Sequence, residues 1–274
     1  MKPLTVKNKT FGDKTPKICI PITGRNEKEI LDAAEKISAL PADVAEWRAD
    51  YYESVTDRDA FLRVLNTLKE RLSGLLLLFT FRTKKEGGVR PLSDEDYLSL
   101  CRAAAKSGLI DLLDLELFNG AETADGAGKA SDCGRKDPDP VTMVPNRSLL
   151  DPLISLAHTS GCRVILSSHD FQKTPPKDEL YRRLVLMESM GADLAKLAVM
   201  PECEQDVLTL LSVTRKASDT ISCPVITMSM GRLGIISRVS GSLTGSCLTF
   251  GTAGEESAPG QLPAELLKHI LETL

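Results

Sequence analysis

A (β/α)8 TIM barrel is the α/β fold this sequence predicts, and three observations predict it. Eight short apolar segments recur along the 274 residues, and each leads into a stretch with helical periodicity. Strands that alternate with helices make parallel β-α-β units. The segments are also nearly unbroken in apolar residues, as strands covered on both faces are, and eight such units close into a barrel more readily than they extend an open sheet. Length alone suits one large barrel or two ordinary domains. The eightfold alternation makes residues 1–274 one barrel domain, with a short N-terminal β-hairpin expected before the first unit.

"KICIPI" (17–22) opens the barrel, and in the following "NEKEILDAAEKISAL" Ile30, Leu31, Ala34 and Ile37 fall on one face, with Glu and Lys outside. "VAEWR" (44–48) leads into "RDAFLRVLNTLKERL", "LLLLFTF" (75–81) into "SDEDYLSLCRAAAKSG", and "IDLLDLEL" (110–117), after a long break, into "SLLDPLISLAHTSG". "RVILSS" (163–168) precedes "KDELYRRLVLMESMGA", and "DLAKLAV" (193–199) precedes "EQDVLTLLSVTRKAS". "PVITMS" (224–229) is followed only by the brief helix of "IISRVSGSL", and "SCLTF" (246–250) by "PAELLKHILETL". The break, at about 119–148, is rich in Gly, Asp and Pro, has no aromatic residue and exceeds ordinary strand-to-helix loops. It reads as an insertion after the fourth strand: a surface excursion, or a lid, since it leaves the barrel at the end where such folds carry their sites.

A net charge of −4 with both signs mixed along the chain offers no basic stripe, which argues against nucleic acid as a partner. Seven cysteines, odd in number and never in a C-x-x-C pair, argue against a disulfide framework and a zinc site, so no metal is expected. They read as reduced thiols, mostly in the core. "MKPLTVKNKTFGDK" lacks the apolar core of a secretion signal, and "GLLLLFTF" is too short to span a bilayer, so a cytoplasmic location without membrane contact is expected.

Polar residues gather at the C-terminal ends of the strands: Glu46 and Arg48, Arg82, Asp114 and Glu116, His169, and Lys196. Lys196 is the most unusual, because "GADLAKLAVMP" otherwise reads as a buried strand. Its head either reaches water or pairs with Glu116, or its chemistry is used inside. Burial disfavours the charged form; the neutral amine attacks ketones and gives an iminium that acidifies the neighbouring carbon. His169, in "SSHDF", ends the preceding strand, within reach of a ligand shared with Lys196, as a proton shuttle or as an ordinary rim histidine. Glu46, Arg48 and Arg82 lie on neighbouring tips, with Glu86 four residues after Arg82, and either bind hydroxyls and acids or form structural ion pairs. Gly87 and Gly88 let that loop bend. Arg238 and the segment "FGTAGEESAPGQLP", with Ser257 and Gln261, suit a loop that closes over a polar ligand or is simply solvated. Gly251 and Gly254 lack any phosphate-binding pattern.

Taken in order, "EWRAD", "LLLLFTFRTKKEGG", "LDLELF", "SSHDF", "GADLAKLAVMP", "VITMSMGRLGIISR" and "FGTAGEESAPGQLP" resemble the type I 3-dehydroquinate dehydratases of the shikimate pathway, from about residue 17 to the C-terminus apart from the insertion. The resemblance implies a homodimeric barrel hydro-lyase, without metal or other cofactor, that converts 3-dehydroquinate to 3-dehydroshikimate by syn elimination of water through a Schiff base. It makes Lys196 the imine-forming amine, His169 the general acid and base, and Glu86 the group that orients His169. Glu46, Arg48 and Arg82 would hold ring hydroxyls, Arg238 the substrate carboxylate, and Ser257 and Gln261 the closing loop. One departure is Pro21, where family members often carry a substrate-contacting serine; that contact is either lost or taken over by Thr23. A class I aldolase-like protein would also use a barrel lysine, but His169 with Arg238 and the "SAPGQ" loop favours the dehydratase. A non-catalytic binder of pathway acids needs neither Lys196 nor His169.

Overall fold

The structure, a computed structural model, describes residues 2–120, 122–123, 143–254 and 256–274. A hairpin of β1 (Leu4–Val6) and β2 (Lys9–Phe11) precedes β3 (Lys17–Ile22), α1 (Glu27–Ser38), β4 (Val44–Arg48), α2 (Arg58–Arg71), β5 (Leu76–Thr80), α3 (Asp94–Lys106) and β6 (Leu112–Glu116). After the short pair β7 (Glu122–Thr123) and β8 (Met143–Val144) come α4 (Arg147–Thr159), β9 (Arg163–Asp170), α5 (Lys177–Ser189), β10 (Leu194–Val199), α6 (Glu204–Thr220) and β11 (Val225–Ser229). The chain ends with α7 (Ile235–Val239), α8 (Gly241–Thr244), β12 (Leu248–Thr252), β13 (Leu262–Pro263) and α9 (Ala264–Thr273).

The barrel strands run parallel in the order β11-β10-β9-β6-β5-β4-β3-β12, and a parallel bridge from Val225 to Ser246 closes the ring. Two apolar layers result. Outward residues such as Ala45, Trp47, Leu113, Leu166 and Leu197 pack against the helices, and inward ones such as Val44, Leu78, Leu112, Ile165, Leu194 and Ile226 fill the barrel. This alternation along each strand decides which side chains reach the interior.

The expected hairpin is present, and it plugs the bottom of the barrel: Val6 and fully buried Phe11 belong to the interior layer. Three aspartates pin the same end. Asp43, Asp111 and Asp193, each just before a strand, accept the N–H of Ile18, Leu77 and Val164 on the neighbouring strand at 2.9, 2.9 and 2.8 Å. Lys9 and Lys7 of the hairpin pair with Asp43 and Asp111 at 2.7 and 2.6 Å, tying plug to strands. Phe11→Ala is expected to cost about 3–5 kcal/mol by opening a cavity beneath the barrel floor; an unchanged midpoint in urea unfolding would show that the hairpin seals nothing.

At the insertion, β7 and β8 pair antiparallel, and Arg147 and Ser148, placed in the insertion by sequence, are the first turn of α4. The lid reading rests on residues outside those described. Of the cysteines described, Cys19, Cys101, Cys162 and Cys247 are buried, Cys223 is half-buried and Cys203 is exposed; Cys133 lies outside them.

Candidate active site

Lys196 shares the inward face of β10 with Leu194 and Ala198, and the residue is 3% exposed. Register sets it level with Ser167 on β9 and Ile226 on β11, while Ala198 is level with His169. Lysine and histidine thus stand one layer apart on adjacent strands, above an apolar floor. The alternative of a lysine pointing to solvent is excluded, and its partner is not Glu116. Asp114 lies 3.3 Å from the amine, whereas Glu116 takes Arg82 at 2.9 Å, the Thr83 N–H at 2.8 Å and the Thr83 hydroxyl at 2.6 Å. Phe250 presents its ring to the amine at 4.5 Å.

Glu86 reaches His169 from a 3-10 turn, Lys84–Glu86. Its Oε2 accepts both the backbone N–H of His169, at 3.1 Å, and Nδ1–H, at 2.8 Å. An oxygen that already accepts the backbone donor assigns the ring proton to Nδ1 and leaves Nε2 with a lone pair. Burial, then the charges of Arg82, Lys196 and Arg48, push His169 well below the ordinary histidine range. Burial and the carboxylate of Glu116 push Glu86 up, against the pull of Arg82.

Gly87 and Gly88 do more than bend this turn. Gly87 has φ +89°, and a Cβ there would collide with the ring of Phe171, which stacks beside His169; at Gly88 it would collide with the Arg82 carbonyl. Side chains at either position would displace Glu86 or His169.

A cavity of about 480 Å³, mouth included, is lined by Lys196, His169, Glu86, Glu46, Arg48, Arg82, Arg238, Ser257 and Gln261, together with Met228, Met230, Phe250 and Phe171. The nine residues that the resemblance assigns to catalysis or substrate binding therefore all line one space. Neither Pro21 nor Thr23 lines it. A larger groove of about 770 Å³ between α2 and α3 lies on the outer wall, away from these groups.

Most charges here are already paired. Arg48 is held by Asp50 through two 2.8 Å bonds, Arg82 by Asp114 and Glu116, both at 2.9 Å, and Glu46 accepts the Thr80 hydroxyl at 2.8 Å. Despite burial, its carboxylate neighbours raise Arg82 well above the ordinary guanidinium range. Arg238 is different. It is 2% exposed, no carboxylate among the described residues forms an ion pair with it, and its Nε has no partner. Burial lowers it to about 10, with Glu256 opposing. One Nη donates to the Pro259 carbonyl at 2.8 Å, in the loop where Gln261 Oε1 accepts the Ser257 N–H at 2.8 Å. A buried, under-paired guanidinium facing a cavity is chemically suited to pair with an anion.

A family described as Type I 3-dehydroquinase matches residues 18–274. The chain belongs to this family. A 3-dehydroquinate dehydratase of Listeria monocytogenes serotype 4a is 41% identical over 274 residues, covering 100% of this chain and 98% of the relative. Another, from Clostridium botulinum, is 43% identical over 270 residues, 98% of this chain and 96% of the relative. The type I 3-dehydroquinate dehydratase of Clostridium difficile, solved with covalently modified comenic acid, superposes with a TM-score of 0.87 at 38% identity, covering 100% of this chain and 98% of that one. The Geobacillus kaustophilus enzyme gives 0.88 at 33% identity, covering 100% and 96%.

Within this type I dehydroquinase barrel, sequence reading gave no role to Asp114, Ser167, Thr80 and Asp50, which hold the lining residues. A signal existed: Leu112, Asp114 and Glu116 alternate on one face of β6, so an inward Glu116 entails an inward Asp114.

Proposed function

We propose that this chain is a 3-dehydroquinate dehydratase, a hydro-lyase of the shikimate pathway that works through a Schiff base on Lys196. The observation that carries the reading is a buried amine and an imidazole facing one cavity that is also lined by Arg238, a buried and under-paired cation.

The Lys196 nitrogen attacks the substrate ketone carbon, the carbonyl oxygen leaves as water, and an iminium remains. His169 Nε2 removes a proton from the α-carbon while that electron pair moves into the iminium, giving an enamine. The enamine expels the β-hydroxyl, which takes the proton from His169 and departs as water. Hydrolysis of the conjugated iminium returns Lys196 and the enone. Glu86 keeps the proton on Nδ1 throughout. Arg238 binds the carboxylate, and with the Pro259 carbonyl already on the same guanidinium, carboxylate binding and loop position are linked. Ser257 and Gln261 close that loop over the ligand, and Glu46, Arg48 and Arg82 face the ring hydroxyls, held in place beforehand by their own partners.

Reduction with borohydride during turnover of 3-dehydroquinate is expected to fix the substrate on Lys196 as a secondary amine, read by peptide mass spectrometry. An adduct on another lysine, or none during active turnover, contradicts the mechanism. The same reading takes the enzyme as a cytoplasmic homodimer working without metal or organic cofactor. Among the described residues, no helix is long and apolar enough to cross a membrane.

A further inference from the structure

Asp114 has no part in the steps above, yet it is 1% exposed and both its oxygens are engaged. Oδ1 accepts from Ser167 Oγ at 2.6 Å and pairs with Arg82 Nη2 at 2.9 Å; Oδ2 lies 3.3 Å from Lys196 Nζ. Burial alone would raise Asp114, but Arg82 and then Lys196 hold it below the usual carboxylate range, so it is charged. With the Phe250 ring at 4.5 Å, the amine sits between an anion and a π face.

We propose that Asp114 is a positioning residue for Lys196: it aims the amine at the cavity and stays beside the same nitrogen as counter-ion once that nitrogen is an iminium. This rests on the Schiff-base reading. An iminium carries the same single positive charge as the ammonium it replaces, so the pair stays balanced before and after condensation. In the neutral enamine between, Arg82 and Ser167 still hold Asp114. A cation this deeply buried loses much of its stabilisation when its paired anion is removed.

Other charged or titratable groups face the pair, but each is committed elsewhere. Glu46 on β4 bonds Thr80, and Arg48 bonds Asp50. Glu86 bonds His169 of β9, and Glu116 on β6 bonds Arg82 and Thr83. Cys19 on β3 is a buried thiol pushed well above its ordinary range, first by burial and then by Glu46. From β11 and β12 the cavity receives Met228 and Phe250, which carry no charge. Among the described residues, Asp114 is the carboxylate that forms an ion pair with Lys196.

Asp114→Asn tests this in the full-length enzyme. Expected are a fall in kcat of about ten- to hundredfold, with KM little changed because Arg238 is untouched, and carbamylation of Lys196 by cyanate without substrate about tenfold faster, relative to exposed Lys28. Asp114→Glu, which keeps the charge, is expected to restore slow carbamylation and part of kcat. Wild-type carbamylation in Asp114→Asn overturns the proposal. So does a rise in KM at unchanged kcat, which would assign Asp114 to Arg82 alone. Should Asp114→Asn not fold, Asp114→Ser removes the same charge and carries the same expectations. A wild-type enzyme that dehydrates nothing would instead sink the Schiff-base reading, while the carbamylation ratio still decides whether Asp114 governs the amine.

Discussion

Lys196→Ala is expected to lower turnover of 3-dehydroquinate by at least about 10⁴-fold and to abolish the borohydride adduct, while the substrate still binds. Without the amine there is no iminium, and a ketone at that position is a far weaker sink for the electrons of the α-carbon bond. Binding survives because Arg238 belongs to α7, Arg48 and Glu46 belong to β4, and all three keep their own partners. Fold survives too: Asp114, 1% exposed, keeps Arg82 and Ser167 when the lysine is gone. Steady-state kinetics, intact-protein mass after borohydride and calorimetric binding give the three readouts. Turnover within about tenfold of wild type would exclude covalent catalysis by this residue.

His169→Ala separates condensation from elimination. Its kcat is expected to fall by about 10³- to 10⁴-fold, while borohydride still traps substrate on Lys196. Undiminished turnover would strip the imidazole of its role. The wild-type enzyme also has a predictable acid limb. In the proposed mechanism neutral imidazole is the working base, and burial together with Arg82, Lys196 and Arg48 lowers its proton affinity. The base therefore stays neutral as pH falls through the ordinary histidine value of about 6.5, and kcat/KM in the free enzyme declines only below it. A limb centred above that value would mean that Glu86 outweighs the surrounding cations.

Strand positions were legible because eight buried strands leave eight apolar runs, and all eight observed starts fall within two residues of the segments read from sequence, as "DLAKLAV" (193–199) does for Leu194–Val199. The last strand, read as 246–250, is Leu248–Thr252, since Ser246 and Cys247 contact β11 before pairing with β3 begins. Lys196 stood out because a charge inside an apolar run is costly. Partner choice did not stand out: which of Asp114 and Glu116 meets the amine depends on the stagger between β6, β9 and β10, a tertiary quantity that no local pattern encodes. The same holds for Gly87, whose freedom looked like loop flexibility until Phe171, 84 positions later, was seen packed against it.

The plugged floor has a last consequence, concerning traffic. With Val6 and Phe11 packed among the inward residues of the strands, the barrel floor is a dead end. In the proposed Schiff-base mechanism the ketoacid, both departing waters, the incoming water of hydrolysis and the enone therefore use the strands' C-terminal end, beneath the loop that Arg238 latches. A product still seated there blocks the next arrival, which makes the enzyme a cul-de-sac served in strict turn.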